Sequence, residues 1–139
     1  MRACGIAFDE QLHRFTPGSP TDFRGVSPSG RVPWLEDDDT VVWDSLAIAE
    51  YLAERHPQVW PADDRARAWA RCAAAEMHSG FATLRNEHGM NIGVRVAVTN
   101  RSPGLLADIA RIERLWAEGI ARFGGEAGVV IGVGFGGRF

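Results

Sequence analysis

Cysteine is nearly absent: Cys4 and Cys72 are the two in 139 residues. No motif spacing relates them, which argues against a disulfide scaffold and suits a reducing compartment. Long apolar runs are missing as well. None approaches the roughly 20 residues that a bilayer-spanning helix requires, so no membrane partner is expected. Positive charge is not in excess either. Lys plus Arg total 15 against 18 Asp plus Glu, a formal net charge of −3. The arginines are scattered rather than striped, which excludes a nucleic-acid footprint. The opening residues, Met1 to Gly5, lack the apolar core of a signal peptide, and a cytoplasmic location is the expectation.

What is present is an ordinary globular composition, 45% hydrophobic. There is room for one modest domain, or for one small domain and part of another. The chain is organised around residues 27–35 and 42–52. Ser27, Pro28, Ser29 and Gly30 are turn chemistry. Pro33 stands at the mouth of a strand, where a missing N–H does least harm. Asp37, Asp38 and Asp39 form a polar tip between two apolar stretches, so 32–35 and 40–43 are predicted to pair as an antiparallel hairpin. A helix then begins at Asp44 and Ser45, both good N-cap residues. Leu46, Ala49 and either Tyr51 or Leu52 give its inward stripe. Arg55 and His56 close its last turn and Pro57 stops it.

This arrangement has its chemistry in the backbone. A helix N-terminus offers free N–H groups and a partial positive charge to a carboxylate. A strand opening at a proline leaves the preceding residue's N–H and C=O available to an extended peptide. An X-Pro bond in such a turn is also where a cis peptide occurs. On these features alone, a cradle for a small anionic peptide stands beside a plain capped hairpin.

Upstream, Gly5 reads as a helix C′ residue, which makes 1–4 the last turn of a helix. A strand is expected within 6–15, carrying Phe8, Leu12 and Phe15, then a turn at 16–20 and one helical turn at 21–26. Downstream, Pro57, Trp60 and Pro61 punctuate a linker. Asp63 caps a long helix whose stripe is Ala66, Ala70, Ala73, Met77, Phe81 and Leu84, with a break expected around 89–93. Ser102 or Pro103 opens another, with Leu105, Ile109, Ile112, Trp116, Ile120 and Phe123 at helical spacing. Seven of the sixteen residues of 124–139 are glycine, which no helix survives. The Gly-x-Gly-x-x-Gly pattern from Gly132 to Gly137 has no following helix and is a chance match. This tail is expected to be disordered or non-native. Cys72, Glu76, His78 and His88 match no zinc spacing; they read as ordinary helix residues, and no metal is expected. Trp43 and Tyr51 read as packing residues.

The stretches 27–35 and 42–52 together resemble the glutathione-binding half of a glutathione transferase of bacterial type. The Val32-Pro33 pair and the acidic-Ser pair Asp44-Ser45 carry the resemblance, which extends over about 1–124. It implies an α/β thioredoxin-like unit over 1–57, lacking its first strand, then a partial all-α domain over 62–123. It implies that Val32 pairs through its backbone with the cysteinyl unit of glutathione and that Pro33 is cis. Asp44 and Ser45 would hold the γ-glutamyl end, and Arg31 would lie close to the bound peptide. Met77, His78 and Phe81 would line the acceptor pocket, with a plain core role for Met77 and Phe81 as the alternative. The family's thiol-activating residue belongs to a segment before Met1, and Cys4 is not its equivalent, so no catalytic residue is assigned. The implied activity of the full-length form is conjugation or isomerisation of small electrophiles with glutathione as co-substrate, in a detoxifying cytoplasmic homodimer. The alternatives are a non-catalytic binding or regulatory protein of the same fold, and an inactive fragment truncated at both ends.

Overall fold

The structure, a computed structural model, describes residues 1–12, 23, 25–89, 93, 95 and 100–124. It divides into two compact units, Met1–Ala62 and Asp63–Phe139. The first is a small α/β unit, and the described elements of the second are all helical.

In the first unit a 3-10 turn, Arg2–Cys4, ends on Gly5, whose φ of 66° is left-handed and whose N–H returns to the Arg2 carbonyl. Glycine adopts that conformation without a Cβ penalty. Two strands follow, β1 (Trp34–Asp37) and β2 (Thr40–Trp43), paired antiparallel. Their register runs from Trp34 opposite Trp43 to Asp37 opposite Thr40. The hairpin is therefore the expected one, moved two residues along its first strand, and its turn is Asp38-Asp39. Asp38 takes a positive φ of 51°, which aspartate tolerates better than most residues.

No linker separates β2 from α1 (Ser45–Arg55). Asp44 alone turns the chain, and its carboxylate Oδ1 accepts the N–H groups of Leu46 at 2.9 Å and Ala47 at 3.4 Å. His56 is the C-cap, and a 3-10 turn at Pro57–Val59 follows. The Gln58 amide donates to the Cys4 carbonyl, which ties the start of this unit to its end.

The strand expected within 6–15 is not formed over its described part, 6–12. Ile6 is buried, and its N–H returns to the Met1 carbonyl rather than to a neighbouring strand. Phe8 and Leu12, the intended apolar face, are exposed at 37% and 68%. A strand is fixed by pairing and one-sided burial, and these residues have neither. The turn expected at 16–20 lies outside the described residues. So does half of 21–26, although a single turn is closed by bonds from the Val26 and Ser27 amides to the Phe23 carbonyl.

In the second unit Asp63 caps α2 (Asp64–Ser79) by accepting the Ala66 N–H. The stripe Ala66, Ala70, Ala73 and Met77 is buried as expected. The helix does not run on to Leu84, however. Gly80 closes it, Phe81 turns left-handed at φ 59°, and a separate α3 (Ala82–Glu87) begins. Arg85 holds the break by donating to the carbonyls of Met77 and Gly80. Asp108 supplies the cap that α3 lacks, accepting the Leu84 N–H at 3.0 Å. Phe81 stays buried through the turn, so the apolar stripe outlasts the helix that carried it.

Ser102 caps α4 (Pro103–Phe123) by accepting the Leu105 N–H, with proline at the first turn. The buried face is Leu105, Leu115 and Gly119, while Trp116 and Ile120 from the expected stripe are exposed. Gly119 explains the rotation. A Cβ there would lie 2.3 Å from the edge of the Trp69 ring. The bare backbone admits the indole of α2, and the helix turns that face inward. Glu76 and Arg111 close the same α2–α4 contact with two parallel bonds of 2.6 Å. The Gly-rich tail lies outside the described residues from 125 onward.

Candidate functional site

Register builds the site. The hairpin closes at Asp38-Asp39, so its open end is where Trp34 faces Trp43. One residue beyond each partner, the chain arrives at Pro33 on one strand and at Asp44 on the other. The two pairs singled out by sequence, Val32-Pro33 and Asp44-Ser45, thus converge on the same end of the hairpin. The Val32–Pro33 peptide is cis.

Each residue there has a definite state. Val32 precedes the ladder by two positions, so its N–H and C=O take no part in the β1–β2 pairing, and it is 48% exposed. Arg31 and Pro33 are exposed. Ser45 is the first residue of α1 and is exposed. Asp44 is half-buried and combines a positive φ of 77° with its capping role. For a residue with a Cβ that backbone is strained, of order 1–3 kcal/mol. Its carboxylate engages the second and third amides of α1, and the Ser45 N–H is not one of them. The Ser45 N–H and hydroxyl, at the positive end of an eleven-residue helix, suit a ligand carboxylate.

The acceptor-pocket residues are distributed differently. Met77 and Phe81 belong to the core of the helical unit, and His78 is exposed. Cys4 is half-buried, its thiol directed at the Gln58 carbonyl at 3.9 Å. Among the described residues no three His, Cys, Asp or Glu side chains gather as a metal site. No helix among them is long and apolar enough to cross a membrane.

Sequence reasoning missed one cluster. Tyr51, read as packing, donates its hydroxyl to Asp37 Oδ2 at 2.7 Å. Arg55 donates to the same oxygen, and its guanidinium lies over the Tyr51 ring, 5.3 Å from the centroid. The Tyr51 hydroxyl first, and then Arg55, hold the Asp37 carboxyl below its ordinary range. The same bond to Asp37 pushes the Tyr51 phenol up. The signal was available: Tyr51 and Arg55 are one turn apart on a helix, and Asp37 ends β1, the first strand of the hairpin that precedes it.

Residues 1–55 match the family model described as glutathione S-transferase, N-terminal domain. A zeta-class glutathione S-transferase from Euphorbia esula is 34% identical over 101 residues, covering 70% of this chain and 43% of that protein. A probable maleylacetoacetate isomerase from Caenorhabditis elegans is 41% identical over 63 residues, 44% of this chain and 29% of the relative. The glutathione S-transferase GstB of Escherichia coli K12 is 40% identical over 75 residues, 48% of this chain and 33% of the relative. No solved structure matches the chain significantly. Residues 1–55 belong to the glutathione S-transferase N-terminal domain family, and the chain is similar to members of the glutathione S-transferase family. Its architecture is accordingly a thioredoxin-like unit followed by a helical domain. The chain spans less than half the length of these relatives.

Proposed function

We propose that the open end of the hairpin binds glutathione and that the full-length protein uses it as co-substrate on small electrophiles. The observation that carries this reading is the convergence of an unpaired Val32 backbone and the start of α1 on one end of a hairpin. In this reading the Val32 N–H and C=O pair with the cysteinyl unit as an added strand would. The Ser45 N–H and hydroxyl hold the γ-glutamyl carboxylate. Asp44 faces the γ-glutamyl amine while keeping its cap, and Arg31 lies beside the peptide.

The chemistry is attack of the glutathione sulfur on an electrophilic carbon, with departure of a leaving group or with return of the sulfur after isomerisation. The family relatives named as transferases and isomerases support both outcomes. A free thiol of ordinary pKa is mostly protonated at neutral pH, so turnover needs a donor near the sulfur, and no residue of 1–139 is assigned that role. On the acceptor side we assign Met77, His78 and Phe81, of which His78 is the exposed member. The full-length protein is read as a cytoplasmic homodimer. The domain division we adopt is 1–57 for glutathione and 62–123 for the helical part.

Titration calorimetry with glutathione tests the site. Ser45→Ala should weaken binding by about 1–3 kcal/mol, the cost of an under-bonded charged partner. An unchanged affinity would remove Ser45 from the site.

A further inference from the structure

We propose that Asp37, Tyr51 and Arg55 form a latch at the closed end of the hairpin that sets the geometry of its open end. The three are positioning residues, and their bearing on glutathione rests on the function proposed above. The hairpin and α1 are joined covalently only at Asp44, with no intervening residue. A helix joined at one point can pivot there. The element that stops the pivot must act at a distance from Asp44. Apolar burial supplies it only in part: neither strand nor α1 contains a fully buried residue. The polar latch lies where the lever arm is long. Tyr51 and Arg55 are seven and eleven residues beyond Asp44, about 10 and 16 Å along the helix axis, and both bond one oxygen of Asp37.

Asp37 is the last residue of β1, at the opposite end of the strand from Val32. The latch thus fixes the helix relative to the very strand whose upstream residue pairs with the ligand. If it opens, the Ser45 N–H and hydroxyl change direction relative to the Val32 backbone, and a peptide bridging the two loses one of its ends. The Arg55 guanidinium over the Tyr51 ring keeps both donors in place.

The test uses the full chain with Asp37→Ala and Tyr51→Phe, the second keeping the ring and losing only the hydroxyl. Both are combined with Ser45→Ala. Glutathione affinity is measured by calorimetry, and the Val32, Ser45 and Leu46 amide resonances are followed without ligand. We expect each latch variant to weaken glutathione roughly three- to tenfold, and to do so far less in the Ser45→Ala background, because the latch acts through Ser45. Affinity within twofold of the parent in both variants overturns the proposal. So does an equal loss in both backgrounds, which marks general loosening. If the parent chain does not bind glutathione, the functional reading fails, and the amides decide the latch alone. Shifts at Ser45 and Leu46 in both variants uphold it; resonances that stay in place overturn it.

Discussion

From Trp34 to Arg55 no side chain is completely buried, while α2 alone buries Ala66, Ala70, Ala73 and Met77. The α/β unit relies on direction: a hairpin ladder, a side-chain cap at Asp44 and a three-residue polar latch. The helical unit relies on proximity: small residues that let backbones approach, with Trp69 seated on Gly119. The proposed function accounts for the difference. An edge that pairs with a peptide must leave backbone groups accessible, and it cannot bury them in a core. The helices have all their mid-segment backbone bonds internally and are free to close-pack.

If that contrast is right, core substitutions in the helical unit should cost most. Leu105, 1% exposed, should lose about 2–5 kcal/mol on truncation to alanine. Urea unfolding measures it, and a loss under 1 kcal/mol would deny the tight packing. Gly119→Ala comes next. Overpacking against Trp69 should cost about 1–3 kcal/mol, offset by about 1 kcal/mol of better helix propensity. A raised thermal midpoint would show that the indole moves aside freely. In the α/β unit, Asp44→Ala should cost about 1 kcal/mol through the lost cap, and Asp44→Asn should recover most of it. Equal loss in both variants would assign the effect to charge instead.

The smallest effect is pH. Asp37 and Glu76 titrate below their ordinary values of 3.8 and 4.5 in the folded chain, the first chiefly through Tyr51 and the second through Arg111. The unfolded chain therefore binds more protons just below those values. Their contribution is complete above the ordinary range and is lost as pH falls through the depressed ones. Both pairs are partly solvated, so the acid limb should be shallow. Asp37→Asn should flatten the limb for the α/β unit, and Glu76→Gln for the helical one; an unaltered acid limb in both variants would deny these carboxylates any part in it.

Local chemistry explains what the sequence revealed. The starts of α1, α2 and α4 were readable because Asp44, Asp63 and Ser102 each cap through their own side chains. The convergence of Val32-Pro33 with Asp44-Ser45 was readable because only a two-residue turn separates the strands. The failures share a different cause. Residues 6–12 needed a pairing partner that no local pattern reports. The break at Phe81 depends on Arg85 and on Asp108 from α4. The inward face of α4 was misjudged because a hydrophobic stripe gives glycine no weight, although Gly119 decides the packing. The Asp37–Tyr51–Arg55 cluster went unseen because each residue had a sufficient ordinary explanation alone.

The seat of Trp69 on Gly119 also restricts how the helical unit can deform. Helices commonly slide past one another in small shear steps, and a full step along α4 is one turn, about 5.4 Å. One turn in either direction from Gly119 brings Leu115 or Phe123 to the place where the indole now rests. Leu115 is already buried, and the Phe123 ring lies 5.8 Å from that of Trp69. Either position carries a large side chain where Gly119 has none. The pair is a mechanical detent: it permits rocking of α2 and α4 about the contact and forbids translation along it.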